Sequence, residues 1–414
     1  MERRRVVITG IGAITSIGNG KEGLWRGVCN GTNGVRSITR FDTSQIKTKV
    51  AAEIEDFDPL DYFDAKTSRR MDRFAQMGLA ASDLAIADAG LRLGPQHRNE
   101  RLGVTIGTAL GGVAGAERQH EVYLKQGLRA VDTSLALTVF GGSGSSNIAI
   151  RYGCTGPTNA NSNSCSSGTM AIGEAFRNIS YGQADIMIAA GGEAPLYELT
   201  FSAFAIIKTM STNPDPSSAC RPFDKLRDGF VMGEAAAVLI LEELGHALTR
   251  NARIYAELLG YSSNNDAHHM VIPRPDGESA VRVMRDVLEE AGVSPREISA
   301  INAHASATQL NDRTETAAIK QVFGEDASRI PISATKSMHG HALGASGSVE
   351  AAICALMFEK NFVPPTMNLF NPDPDCDLDY VPNVGRPQPI EYVLSNSFGF
   401  GGINASLLLG RYQG

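Results

Sequence analysis

The chain has 414 residues, 43% of them hydrophobic and 20% charged, with a formal net charge of −7. That is long enough for two or three domains or one large duplicated one, and apolar enough for a sizeable core. It is too acidic overall for a whole-protein nucleic-acid binder. Glycine is the outlier: 43 residues, about a tenth against a usual ~7%, scattered without a collagen period.

Taken in chain order, the pattern is one of alternating strands and helices, an α/β signature. The start, MERRRVVITG, is basic, but its apolar run is too short for a secretory signal. Arg5 onwards is β-rich and broken by Gly10 and Gly12. Met71 to Ala89 reads as a long helix, with Phe74, Met77, Ala81, Leu84 and Ala85 at helical spacing. Val104–Gly107 and Asp185–Ala190 are apolar strands, each running into glycines. Ala235–Leu241 is the longest apolar run, strand-sized and far below the ~18 residues of a membrane span. A second series follows: strand Arg253–Tyr261, a helix through Val281, Met284 and Leu288, and strand Ile298–Ala303. After these come a helical stripe of Val349, Ala352, Ile353, Leu356 and Met357, and strands Val393–Ser397 and Ala405–Leu409. The two series share a rhythm, which suggests duplication and a division at about 1–250 and 251–414. The proline-rich stretches read as turns in ordered loops. Six cysteines with no C-x-x-C pair indicate reduced thiols in a cytoplasmic protein.

The segment Asn161-Ser-Asn-Ser-Cys165-Ser-Ser-Gly168, followed by an apolar helix, places a cysteine at a strand-to-helix turn. Orphan N–H groups at the helix start favour a thiolate there and lower its pKa. Taken alone, Cys165 is more often a buried structural thiol. His304 ends an apolar strand and His341 lies in a loop of small residues, both at places where α/β folds build sites. His339, two residues from His341, has no Cys or carboxylate at ligand spacing, so no metal is expected. Lys336 is either a solvated lysine or one paired with a carboxylate such as Glu350. The closing Asn396-Ser-Phe-Gly-Phe-Gly-Gly reads as a packed turn or a flap with an aromatic gate at Phe398 and Phe400.

Together these residues resemble the β-ketoacyl-acyl-carrier-protein synthases of the type II elongating kind. The likeness rests on Cys165-Ser-Ser-Gly, Arg221-Pro-Phe-Asp, Arg227-Asp-Gly-Phe-Val-Met-Gly-Glu, Asn302-Ala-His, Asn311-Asp-Arg-Thr-Glu, Lys336-Ser-Met-x-Gly-His and the closing glycine–phenylalanine loop. It spans the whole chain. It implies a thiolase fold, a duplicated five-layer α/β/α/β/α core, and a Cys165–His304–His341 triad. On that resemblance, Cys165 takes an acyl group from acyl carrier protein. The histidines promote decarboxylation of malonyl-acyl carrier protein, and the product is a β-ketoacyl chain two carbons longer. The backbone N–H groups of Cys165 and Phe400 form the oxyanion hole, with Phe400 and Phe398 as gate. Lys336 and Glu350 organise the histidine side, Asp312 supports it, and Ser306 and Thr308 hold the phosphopantetheine arm. No cofactor is implied beyond the substrate's own phosphopantetheine. Docking of an acidic carrier protein falls to Lys66, Arg69, Arg70, Arg73, Lys125, Arg129 and Lys208. The assembly is a homodimer, or a heterodimer with a chain-length-factor-like subunit; neither nucleic acid nor membrane is a partner.

The sequence departs from the common fatty-acid pattern at several positions. Asn-Ser-Asn-Ser precedes the nucleophile, Ala305 stands for a usual glycine, and Ser306 for a usual threonine. Gly141 to Asn147 is unusually small-chained, from which a wider or longer acyl pocket is expected. The readings are therefore fatty-acid elongation, a type II polyketide or polyene ketosynthase, or a non-catalytic partner subunit. Degradative thiolases fit poorly, because neither Cys354 nor Cys376 lies in a Cys-Gly loop.

Overall fold

Strands buried on both faces read as unbroken apolar runs rather than alternations, and Ile186–Ala190 and Ala235–Leu241 are of that kind. In the computed structural model, which describes residues 3–414, the principal elements repeat in order. The first series is β1 (Val6–Thr15), α1 (Arg73–Ala89), β2 (Leu102–Gly107), α2 (Gly142–Tyr152), β3 (Thr158–Asn161), α3 (Ser167–Ser180), β4 (Ile186–Glu193) and β5 (Ala235–Glu243). The second is β6 (Ala256–Asn265), α4 (Glu278–Ala291), β7 (Ala300–Asn302), α5 (Gln309–Phe323), β8 (Ile332–Ser333), α6 (Ser346–Lys360), β9 (Tyr392–Gly399) and β10 (Ile403–Gly410).

The strand order shows the duplication that the sequence only suggests. It runs β8-β7-β9-β10-β6 and then β1-β5-β4-β2-β3. Outward from the junction, each half is first, fifth, fourth, second, third. The directions match too: β2 is parallel to β3 and β4, as β7 is to β8 and β9, and the remaining pairs are antiparallel. The halves join edge to edge where Val6–Ile8 pairs antiparallel with Ala256–Leu258.

Three apolar clusters separate five layers. On β5, Ala235, Ala237, Leu239 and Leu241 face the central cluster, while Ala236, Val238 and Ile240 face the outer one under α1. On the other half, Val393 and Leu407 face the centre, and Leu394 and Leu408 face the outer layer under α4 and α5. This is the period-two geometry of strands with both faces covered. The central cluster holds α3 and α6 between the halves of the sheet. Helix α6 is buried on every side from Ser346 to Phe358, not along one stripe as its sequence spacing suggests. A helix apolar all round is one enclosed by other layers.

Gly107, at the end of β2, shows how tight the central layer is: a Cβ there meets the Ser167 carbonyl at 2.2 Å. The stretch from Gly141 is packed in the same way, against the sheet and α1. A Cβ on Gly144 meets Ile106 at 2.7 Å and Phe74 at 3.2 Å, and one on Gly141 meets Thr108 at 3.0 Å. These glycines let α2 sit close on the sheet and on α1. They do not line the cavity that holds Cys165, His304 and His341.

Candidate active site

The ends of the parallel strands open toward one another across the central layer. After β3 the chain makes a short turn, Ser164–Ser166, and enters α3. Ser164 takes φ +53°, a left-handed conformation that costs a non-glycine residue energy and aims the next side chain sharply. Cys165 follows, buried, at the mouth of the helix. Ser166 Oγ donates to the carbonyls of Ser397 (3.1 Å) and Ile403 (2.7 Å), which ties this turn to the β9–β10 hairpin. Burial pushes the Cys165 thiol up. The Ser164 hydroxyl, the Lys336 charge and the Phe400 N–H pull in the opposite direction without overcoming it. The expected lowering by the helix terminus is therefore not the net result, because removing a thiolate from water outweighs these donors.

The second half supplies the imidazoles. His304 follows β7, its backbone N–H donating to Glu315 (2.8 Å). Its loop holds Ala305 at φ +38° and Ala307 at φ +63°, so alanine occupies a left-handed position where glycine is the relaxed choice. His341 is pinned through its backbone: its N–H donates to the Val231 carbonyl (2.7 Å), and its own carbonyl accepts from Gly233 N–H (3.0 Å). The two rings stand edge to face, 5.4 Å between centroids. Both are held well below the ordinary histidine value, by burial first and then by the Lys336 charge. They are neutral imidazoles at neutral pH.

Cys165, His304 and His341 share one cavity of about 240 Å³ with Ser306, Thr308, Phe398 and Phe400. Ser306 and Thr308 join their hydroxyls at 3.1 Å, and Thr308 also caps α5 by accepting from Asn311 N–H (3.3 Å). Phe398 stands beside His304, 5.9 Å between rings, and Phe400 stacks on Phe204 at 6.3 Å. Lys336 does not line the cavity. It lies behind His304, with Nζ donating to the His304 carbonyl (2.7 Å) and paired with Glu350 on α6. Burial pushes Glu350 up to about 7, with Lys336 opposing. Asp312 is also outside the cavity. It accepts from Phe223 N–H (2.9 Å) and faces buried Arg227 at 3.4 Å, and so holds the floor of the site. His339 points away from the cavity, with Nε2 at 3.2 Å from Thr335 Oγ1.

The basic residues separate into classes. Lys66, Arg69, Arg70 and Arg129 are exposed, and Lys208 sits at the cavity mouth. Lys125 pairs with Glu121 on the surface (3.0 Å). Arg73 is a correction: it and Arg40 bind the fully buried Glu234 carboxylate, Arg73 at 2.9 Å, so its charge is used internally. A buried carboxylate requires such partners.

The residues above leave out one important group. Glu193, at the end of β4, accepts from the N–H groups of Ala109 (2.5 Å), Leu110 (3.2 Å) and Gly344 (3.0 Å), with burial pushing it up to about 7. It joins the loop after β2 to the loop that carries His341. The only sign of it in the sequence is an acid closing an apolar strand.

Comparison with known proteins agrees with this geometry. Residues 3–247 match the family described as Beta-ketoacyl synthase, N-terminal domain, and residues 255–370 match Beta-ketoacyl synthase, C-terminal domain. The chain is 45% identical over 414 residues to the 3-oxoacyl-[acyl-carrier-protein] synthase 2 of Synechocystis sp., covering 100% of this chain and 99% of that protein. It is 41% identical over 412 residues to the protein of that name in Staphylococcus aureus, with 100% and 99% covered. Among solved structures, it is similar to the ishigamide ketosynthase/chain length factor, at TM-score 0.92 and 37% identity, with 99% of this chain and 100% of that one covered. It is also similar to a type II polyketide ketosynthase solved with its acyl-carrier protein and a hexaketide, at TM-score 0.90 and 36% identity, with the same coverage. The fold is that of the thiolase-type ketosynthases, and the chain belongs to the β-ketoacyl synthase family of condensing enzymes.

Proposed function

We propose that this chain catalyses decarboxylative condensation of malonyl-acyl carrier protein with an acyl group held on Cys165, in fatty-acid elongation. One observation carries the reading: a cysteine at a helix mouth and two neutral imidazoles converge on a single, mostly apolar cavity.

The chemistry follows from these groups. Cys165 Sγ attacks the carrier thioester, its proton leaves with the carrier thiol, and the acyl group stays on sulfur. The N–H groups of Cys165 and Phe400 receive the oxyanion. Malonyl thioester then loses CO₂, and the C–C bonding pair becomes an enolate. Ring N–H groups of His304 and His341 stabilise its oxygen without acting as strong bases. The enolate carbon attacks the Cys165 thioester, the C–S bond breaks, and sulfur recovers a proton. The Ser306 and Thr308 hydroxyls line the route for a phosphopantetheine arm, and Phe400 and Phe398 control it. Lys336, held by Glu350, acts as a positioning residue through the His304 carbonyl. No cofactor or metal enters these steps.

The partner in this reading is an acyl carrier protein docking at Lys208 and the exposed Lys66, Arg69, Arg70 and Arg129. The homodimer of this reading is supported by the open edge of β3, where Thr158 and Asn159 are exposed, and by the exposed apolar side chains Leu124, Leu128, Leu137, Phe140 and Ile150. The compartment of this reading is the cytoplasm, on the expectation that the six cysteines stay reduced. A second reading, a ketosynthase working beside a chain-length-factor partner, is favoured by the 37% identity to the ishigamide protein. Purified protein given saturated acyl-carrier thioesters and malonyl-carrier protein separates them. Elongation by the chain alone supports the first reading. Turnover only with an added partner subunit supports the second.

A further inference from the structure

The two cavity imidazoles are held differently. Among the described residues, His304 Nδ1 has no hydrogen-bond partner. His341 Nδ1 lies 2.8 Å from the Ser346 hydroxyl. Ser346 is the first residue of α6, is 1% exposed, and does not line the cavity. It reaches His341 because the intervening loop doubles back, with Leu343 at φ +38°.

A neutral imidazole carries one proton, on Nδ1 or Nε2. A hydroxyl can either donate to Nδ1 or accept from it. If it accepted, its own hydrogen would need another acceptor, and among the described residues the Ser346 hydroxyl has no other partner. A buried donor left unmade costs about 1–3 kcal/mol. Donation from Ser346 Oγ–H to Nδ1 satisfies both groups. It also leaves the imidazole proton on Nε2, the ring nitrogen not engaged by Ser346.

We infer that Ser346 is a positioning residue that fixes His341 in the Nε2–H tautomer. The inference deepens the proposed reaction and rests on it for its kinetic consequence: an Nε2–H donor stabilises the enolate oxygen, whereas a bare Nε2 would repel it. Ser346 touches neither substrate nor the reacting atoms.

The test is ¹⁵N-histidine NMR of the full-length protein, with His341 assigned by the loss of its signals in His341→Asn, paired with decarboxylation of malonyl-carrier protein. In the unmodified protein, Nδ1 is expected as the unprotonated and Nε2 as the protonated nitrogen. In Ser346→Ala the signal moves toward a tautomer mixture and the kcat for decarboxylation falls about two- to tenfold. KM and the acylation of Cys165 are unchanged, and Ser346→Thr restores both readouts. A protonated Nδ1 in the unmodified protein overturns the inference, as does an unaltered tautomer in Ser346→Ala. The spectrum needs no substrate, so a protein that fails to decarboxylate sinks the proposed reaction while the tautomer assignment is still decided.

Discussion

The two halves of the molecule share one strand order and one set of loops, yet they place different chemistry at equivalent positions. After the third strand of each half, the chain turns into a central helix. In the first half that turn carries Cys165 before α3, and in the second it carries His341 before α6. After the second strand stand Thr108 and His304, respectively. After the fourth stand Glu193, a buried carboxylate that ties the loops together, and the Phe398–Phe400 hairpin. Duplication thus brings two sets of strand ends face to face, and the halves then divide the work. The first half holds the nucleophile. The second holds the groups that handle the enolate.

That division is open to attack by substitution. The largest effect is expected from Cys165→Ala, which removes the first half's contribution: elongation falls by at least about 10³-fold, while malonyl decarboxylation, measured as CO₂ release, persists. Breaking the second half's support comes next. Lys336→Ala leaves Glu350 buried beside a vacated site, and denaturant unfolding is expected to show a loss of about 3–5 kcal/mol. Lys336→Met with Glu350→Leu should recover most of that stability but not the activity. Pressing the halves apart is milder. In Gly344→Ala a Cβ lies 2.2 Å from Ala109 N, and the expected cost is about 1–3 kcal/mol, with reduced turnover but an intact fold by circular dichroism.

The smallest effect concerns pH. His304 and His341 are depressed by burial, so the folded protein binds fewer protons than the unfolded chain as pH falls below the ordinary 6.5. The stability linked to them is fully present above 6.5 and is lost as pH falls toward their depressed values. The rate profile should therefore show no histidine inflection near pH 6.5. An inflection there, absent from His304→Ala or His341→Ala, would contradict neutral buried imidazoles.

Much of this was legible in the sequence because glycine and short apolar runs mark strand ends. His304 lies just past such a run and Phe400 just past the strand that starts at Val393, whereas Cys165 follows the polar strand Thr158–Asn161 and is marked by the apolar helix after it. Chemistry at strand ends is a property of the fold class. The layering was harder to read. Helix α6 shows a stripe in sequence but is enclosed on all sides, since its Ser346, Ser348 and Glu350 are buried as well. Polar residues at core positions hide a buried helix. The glycines from Gly141 show the reverse problem: a small side chain signals close approach, but not whether its neighbour is a ligand or another helix. Here the neighbours are Ile106 and Phe74. Arg73 belongs with a basic cluster in sequence, while its partner Glu234 is 161 residues away. Long-range pairings of that kind leave no local pattern. The burial of the Cys165 thiol is non-local in the same way, since it depends on the loops that close over it.

The division of labour is tested most directly by the mass of the His341→Ala protein after incubation with an acyl-carrier thioester and malonyl-carrier protein. The predicted result is accumulation of an acyl adduct on the peptide containing Cys165, with little CO₂ release and no elongated product. An enzyme that elongates normally without His341, or one that forms no adduct on Cys165, would contradict it.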